Sequence, residues 1–275
     1  MKFQVSSCRR PIASRLRGAW LCASAVCLTA ILMPVAAVQA APVSTLSASY
    51  YTVSAADPDF GNQCCGTFTD LVKNTLGPDG LPVYNPATSD PFTIHDLNGS
   101  GEITWWDPTF NSNVTASGSG SISLPFNDSA MYPPTGQNPG GNDSNGYLAG
   151  VFTGAFSLNA PQQVQFSLGA DDDAFLYVDG MLVDSLGGVH ADTQLPITTP
   201  QTLATGNHTI TLFYDDRYPT QAALSFSILS QGVTITPPLA PPCTVPLPPA
   251  VWFLGSGLLG LAAVGRRRAF GGEAR

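Results

Sequence analysis

Basic side chains are almost missing from the body of this chain. Of its 11 Lys and Arg, five (Lys2, Arg9, Arg10, Arg15, Arg17) precede a first long apolar run and four (Arg266, Arg267, Arg268, Arg275) follow a last one. Lys73 and Arg217 are the two left between them, facing 18 acids, for a formal charge of −16. A surface of that sign repels phosphate backbones, which excludes nucleic acid as a partner. Strong helix formers are equally scarce. Seventeen of the 18 acids are Asp, Glu102 being the exception, while the 275 residues include 27 Gly and 24 Pro. That composition excludes a helical bundle. So dense a negative charge calls for a cation. No internal repeat is present.

The two ends read as addresses. Residues 1–18 are basic, residues 19–38 are apolar, and Val38-Gln39-Ala40 offers small residues for cleavage after Ala40, so 1–40 is expected to be a signal peptide. The alternative, a retained anchor, sits badly with the helix-breaking Pro34. At the other end Val245-Pro246-Leu247-Pro248-Pro249 leads into an apolar run over 250–265 and then Arg266-Arg267-Arg268. That run is short of the ~20 residues that cross a bilayer comfortably, and the arginines would hold the tail in the cytoplasm. This order of features resembles the PEP-CTERM sorting signal of Gram-negative bacteria, with Val245-Pro246-Leu247-Pro248 in place of Pro-Glu-Pro. The resemblance makes 245–275 a sorting signal with a short transmembrane helix. It implies processing by an exosortase, transient anchoring in the inner membrane, and a final place in the cell envelope, at the cell surface or in the extracellular matrix, often beside exopolysaccharide. Residues 233–244, with Pro237, Pro238, Pro241 and Pro242, are then a stiff linker. Cys8, Cys22 and Cys27 leave with the signal peptide. Of Cys64, Cys65 and Cys243, adjacent Cys64 and Cys65 join only through a strained ring, so one of them can pair with Cys243 in an oxidising compartment. No His stands at ligand spacing to make these a metal site.

The remaining 41–232 reads as strands. Residues 46–53 alternate; 163–170 put Val164, Phe166 and Leu168 on one face; 174–180 run into Asp179-Gly180, a hairpin turn signal, with 181–186 as the returning strand. Residues 208–215 and 224–229 alternate again. Turn signals at short spacing with no amphipathic helix predict an all-β, antiparallel β-sandwich. Residues 112–122 and 133–147, rich in Gly, Ser, Asn and Pro, are expected to be surface loops.

The chemistry concentrates in Gly169-Ala170-Asp171-Asp172-Asp173 and in Leu186-Gly187-Gly188-Val189-His190. Three successive acids at a strand edge repel one another unless a hard cation with oxygen ligands, calcium above all, neutralises them. The bland reading is a solvated acidic turn. The segment resembles the fibro-slime domain, a branch of the carbohydrate-binding β-sandwich superfamily named after anthrax protective antigen. Ala56-Asp57-Pro58-Asp59-Phe60, Gly80-Leu81-Pro82-Val83-Tyr84, Phe152-Thr153-Gly154 and Phe213-Tyr214-Asp215-Asp216-Arg217 match in order, so the resemblance spans roughly 48–230. It implies a jelly-roll, protective-antigen-like sandwich. In the sugar-binding members a cis-linked acid pair chelates calcium, which also meets the sugar hydroxyls. Here that pair falls on Asp171 and Asp172, beside Asp173, with His190 as a buttress; the family's further Asn ligand has no evident counterpart.

A second acidic loop, residues 96–107, follows the twelve-residue calcium-loop spacing: Asp96, Asn98, Ser100, Thr104 and Asp107 at the side-chain positions and the carbonyl of Glu102 between them. Asp at the last position is a shorter reach than Glu, and Pro91 and Pro108 forbid long flanking helices. The alternative is an Asn-Gly turn leading into a strand. Trp105 and Trp106 can offer a sugar-stacking face, although alternation assigns one of the two to the core. Catalysis is not expected. Adjacent acids on a strand point to opposite faces, no nucleophile elbow is present, and His95, His190 and His208 lack metalloprotease spacing. His208, in Gly206-Asn207-His208, is expected at the surface. The chain thus reads as an exported, non-enzymatic cell-envelope protein that binds carbohydrate or matrix polymer with calcium. The alternative is a structural or adhesive matrix protein in which calcium only stabilises the fold.

Overall fold

The computed structural model describes residues 43–61, 66–196 and 200–238. The expected signal peptide, the three cysteines Cys64, Cys65 and Cys243, and the sorting motif (Val245, Pro246, Leu247, Pro248 with Arg266, Arg267 and Arg268) lie outside these residues. No helix among the described residues is long and apolar enough to cross a membrane.

The fold is all-β, as the alternation predicts. Among the described residues fourteen strands follow in order: β1 (Thr45–Val53), β2 (Val72–Leu76), β3 (Pro82–Tyr84), β4 (Val114–Ser123), β5 (Phe126–Asp128), β6 (Tyr147–Leu158), β7 (Gln162–Val164), β8 (Phe166–Asp171), β9 (Asp173–Val178), β10 (Met181–Leu186), β11 (Thr193–Gln194), β12 (Gln201–Leu203), β13 (Gly206–Asp215) and β14 (Ala223–Ile228). An eight-stranded sheet runs β3-β2-β10-β9-β13-β6-β1-β4, a four-stranded sheet runs β11-β8-β14-β5, and β12 pairs with β7. Every pairing between these strands is antiparallel.

The two larger sheets close over one core. Leu46, Phe152, Leu176, Leu212 and Tyr214 from the large sheet meet Phe166, Leu168, Ala170, Leu224 and Phe226 from the small one. The large sheet is covered on its other face too. Phe175, Tyr177 and Phe213 pack there against Phe60, Leu71, Ile103, Trp105 and Trp106. This explains why β9 reads as an unbroken apolar run rather than an alternation: both faces of a central strand are buried. The β9–β10 hairpin turns at Asp179 and Gly180 with φ of 51° and 74°, the left-handed pair that the Asp-Gly signal predicts.

Two expectations need correction. Residues 114–123 are not a loop but the edge strand β4, paired along its length with β1. Its Gly/Ser-rich sequence hides it, because only Val114 and Ile122, near its two ends, are buried and the stretch between them pairs through its backbone. The sandwich also runs past residue 232. Ile235 is fully buried, Thr236 pairs with Ala155, and the Thr45 N–H donates to the Ile235 carbonyl at 3.0 Å.

Candidate metal centre

Asp171 ends β8 and Asp173 begins β9, so Asp172 lies where the chain leaves the small sheet for the large one. The Asp171–Asp172 peptide is cis. The end of β13 approaches from the side. Asp215 is in register with Asp173, the Asp172 N–H donates to the Asp215 carbonyl at 3.2 Å, and the Asp216 N–H donates to the Leu148 carbonyl at 3.0 Å. A third segment, the single 3-10 turn Asp143–Asn145, brings Asp143; its cap, Asn142, accepts the Ser144 N–H at 3.0 Å. None of these six acids is more than 5% exposed.

Buried carboxylates need donors or a cation, and these six divide sharply. Asp173 is satisfied: Oδ2 accepts Arg217 Nε at 2.6 Å, and Oδ1 accepts the Gly188 N–H at 2.7 Å and Arg217 Nη2 at 3.3 Å. Asp172 accepts the His190 N–H at 2.7 Å and the Arg217 N–H at 2.8 Å. By contrast Asp171 Oδ2, Asp216 Oδ2, Asp143 Oδ1 and both carboxyl oxygens of Asp215 are buried with no donor. Burial, then the neighbouring Asp172, pushes Asp171 up to about 7. Burial and Asp173 push Asp172 to about 6, and burial brings Asp143 to about 6. Burial first, then Asp143 and Asp173 respectively, raises Asp216 and Asp215 well above the carboxylate range. Arg217 lies beneath them, 1% exposed. Burial opposes its charge, but Asp173 and Asp215 outweigh that and hold it protonated. Its guanidinium carbon stands 4.8 Å from the centre of the Trp105 ring.

Several expected site residues take other roles. Asp173 does not point to a cation; its oxygens are occupied by Arg217 and Gly188. His190 reaches the acids through its backbone N–H, while its Nδ1 lies 2.9 Å from the Ala191 carbonyl and its Nε2 is buried without a partner. Neither Trp105 nor Trp106 can stack on a sugar, since they are 0% and 2% exposed. Their indole N–H groups donate to Asp59 Oδ2 and to the Tyr214 carbonyl. His208 is not a surface residue. It packs on Phe156 with ring centroids 5.2 Å apart and lies 2.7 Å from Asp179.

The 96–107 loop does not wrap a common centre. Leu97 pairs with Ile103 and the Asn98 N–H donates to the Glu102 carbonyl, which makes 98–102 a tight turn. Asn98 Oδ1 accepts the N–H groups of Ser100 and Glu102, and its Nδ2 donates to Glu102 Oε2. The Glu102 side chain accepts the N–H groups of Asp79 and Leu81. Thr104 donates to the Asp96 carbonyl, Asp107 accepts the Thr109 N–H, and Ser100 is exposed. Asn98 and Glu102 are thus spent on holding turns. Asp96 turns instead to Asp57 and Asp59, one carboxylate oxygen of each lying within 4.8 Å of the others. Asp59 there accepts the N–H groups of His95 and Asp96 and the Trp105 indole, and Asp57 accepts the Asp59 N–H. Burial, then Asp57 and Asp59, pushes Asp96 up to about 8.

Sequence reasoning did not single out Asp143, whose Oδ1 is buried without a donor. Nothing in Gly140-Gly141-Asn142-Asp143-Ser144-Asn145 separates that acid from an ordinary loop Asp. Asp216 was visible as half of an Asp-Asp pair, and Arg217 as a rare base directly after it.

No protein-family model matches the chain. Among curated proteins it is 27% identical over 169 residues to Protein psiR of Dictyostelium discoideum, covering 51% of this chain and 16% of that much longer protein. Solved structures with some likeness include a PA14 sugar-binding domain from an RTX adhesin, at 14% identity and a TM-score of 0.34, covering 70% of this chain and 95% of that one. The PA14 domain of the antifreeze protein MpAFP is 12% identical with a TM-score of 0.37, over 74% and 97%. The Epa9A adhesin domain of Candida glabrata, solved with Galb1-4GlcNAc, is 14% identical with a TM-score of 0.30, over 70% and 85%.

Proposed function

We propose that this domain is a calcium-dependent carbohydrate-binding module of an exported cell-surface protein. One observation carries the reading: Asp171 and Asp216 have buried, donor-free oxygens on the two segments that meet at the sheet crossover, where the Arg217 N–H donates to Asp172 at 2.8 Å. Hard carboxylate oxygens suit calcium, so Asp171, Asp172 and Asp216 are the residues that would hold it. Once bound, such an ion supplies open positions for vicinal hydroxyls of a sugar. The resemblance of 169–190 and 213–217 to the fibro-slime branch of the protective-antigen superfamily points the same way. The reading is of binding rather than turnover: Asp172, Asp173, Asp215 and Asp216 are all 0% exposed, and Asp215 lies beside Arg217, so none of these four is open to a substrate as a general acid or base. Export, exosortase processing and transient anchoring rest on the sequences of 1–40 and 245–275.

The test is retention of the full chain on a panel of immobilised glycans, in millimolar calcium and in chelator. Retention is expected in calcium alone, and the Asp171→Asn/Asp172→Asn variant is expected to lose it. Retention that survives the chelator would overturn the calcium dependence. Calcium that raises the melting temperature while no glycan is held would make the ion purely structural.

A further inference from the structure

The outer face of the large sheet is covered over only part of its length. Along β13 the residues on that face change from Phe213, whose ring centroid lies 5.0 Å from that of Trp106, to the partly exposed Thr211. Along β6 they change in the same way from buried Ala149 through Val151 to partly exposed Thr153. Where the apolar cover ends, a cleft of about 570 Å³ opens, within the range of small-ligand sites. Val151, Thr153 and Thr211 line its floor, with Tyr51 of β1, Asp107 and Thr109 around them. Thr153 and Thr211 are direct cross-strand partners, so their side chains stand next to each other. Neither hydroxyl is hydrogen-bonded to a described residue. Asp107 Oδ1 accepts the Thr109 N–H at 2.6 Å, and Oδ2 accepts nothing from the described residues.

We propose that this cleft is a second carbohydrate subsite, one that works without a metal ion and takes a neutral hexose. Tyr51 supplies an aromatic wall for the apolar face of a pyranose ring. Asp107 Oδ2 accepts from the sugar hydroxyls, and Thr153 and Thr211 donate or accept as the ring requires. A purely apolar occupant would bury those groups without partners. A uronate or sulfate fits no better: among the described residues no Lys or Arg lines the cleft, and Asp107 is its one charged side chain. One carboxylate is also too few hard ligands to hold calcium. The inference stands independently of the calcium-dependent reading above. An open cleft that takes a single ring binds it at about millimolar Kd, too weakly to retain the chain on immobilised glycan by itself.

The experiment is saturation-transfer NMR on the full chain in chelator, with soluble cellotriose, maltotriose and mannotriose as neutral probes and trigalacturonate as the charged one. Transfer from wild type to at least one neutral probe is expected, and none to trigalacturonate. Tyr51→Ala should abolish the transfer. Thr153→Val/Thr211→Val keeps the shape of the floor and should weaken Kd about tenfold, as loss of two hydrogen bonds implies. A wild type that transfers to none of the three neutral probes overturns the inference, and so does equal transfer to trigalacturonate. Transfer that appears only on adding calcium places the sugar at the crossover acids; it overturns the cleft and leaves the earlier reading standing. If Tyr51→Ala does not fold, the valine variant decides, and an unchanged Kd there overturns the site.

Discussion

Two groups of carboxylates are built into this domain, and their hydrogen bonding is opposite. Around Asp59 the accounts are nearly closed: the acid takes two backbone N–H groups and an indole, and Asp57 takes the Asp59 N–H and the Asn111 amide. One buried oxygen there, Asp96 Oδ2, lacks a donor, and a proton held by Asp96 up to about pH 8 supplies what it needs. At the sheet crossover several buried oxygens on four acids are left over. Three oxygens within 4.8 Å of one another occur in the group around Asp59, whereas most of the buried oxygens without a donor belong to the crossover acids.

Arg217 belongs to both groups, and removing it should have the largest effect. Its side chain neutralises Asp173 and lies over Trp105, which in turn holds Asp59. Arg217→Met leaves buried charge unpaired and should cost roughly 3–5 kcal/mol by denaturant titration. A loss under 1 kcal/mol would mean that the two acid groups do not depend on it. Next comes the contrast in calcium. With free calcium 100-fold above Kd, Asp171→Asn/Asp172→Asn should forfeit about 2.7 kcal/mol of ion-linked stability, yet in chelator it should melt at or above wild type because repulsion is relieved. Asp96→Asn should leave the calcium increment intact. If the Asp96 variant loses the increment and the double variant keeps it, the assignment of the two groups is reversed.

Asp96→Asn has its own pH signature. Its carboxyl is raised in the folded state, so wild-type stability falls as pH climbs from the unfolded value near 4 towards 8. The Asn variant, which keeps an N–H to donate, should shed that slope; melting temperatures measured from pH 4 to 9 check it. The smallest effect belongs to His208. The hydrogen bond with Asp179 raises its pKa above 6.5 despite the opposing effect of burial. Its contribution is therefore full below about pH 6.5 and lost as pH rises through the folded value. Asp179 is 44% exposed on its side chain, which keeps the pair within roughly 0.2–1 kcal/mol. His208→Gln should flatten the stability profile above pH 6 by that amount, and an unchanged profile would discount the pair.

What the sequence disclosed depended on whether side chains or backbone did the work. β1, β13 and the β9–β10 hairpin were legible because apolar alternation and an Asp-Gly turn are written in side chains. β4 was not, because Gly and Ser carry no pattern and its partner is the backbone of β1. The acid pair Asp171-Asp172 was legible as a local motif. Its neighbourhood was legible only in part: Asp216 stood out as half of an Asp-Asp pair, but that the end of β13 reaches the Asp172 N–H follows only from the closure of the sandwich. The calcium-loop spacing at 96–107 misled for the converse reason. Its oxygens match in sequence, but Asn98 and Glu102 find backbone N–H groups nearer than any shared centre.

The placement of Thr45 and Thr236 has a mechanical consequence. Thr45 and Thr236 meet at the Ala155 end of β6, and the acids gather at its Ala149 end. The two points are about 20 Å apart along the strand direction. A load applied between a ligand at the acids and the C-terminal side of the domain runs parallel to β6, β13 and β1, perpendicular to their inter-strand hydrogen bonds. Under such shear the bonds of the ladder are strained together rather than opened one after another, so the sheet resists as a unit.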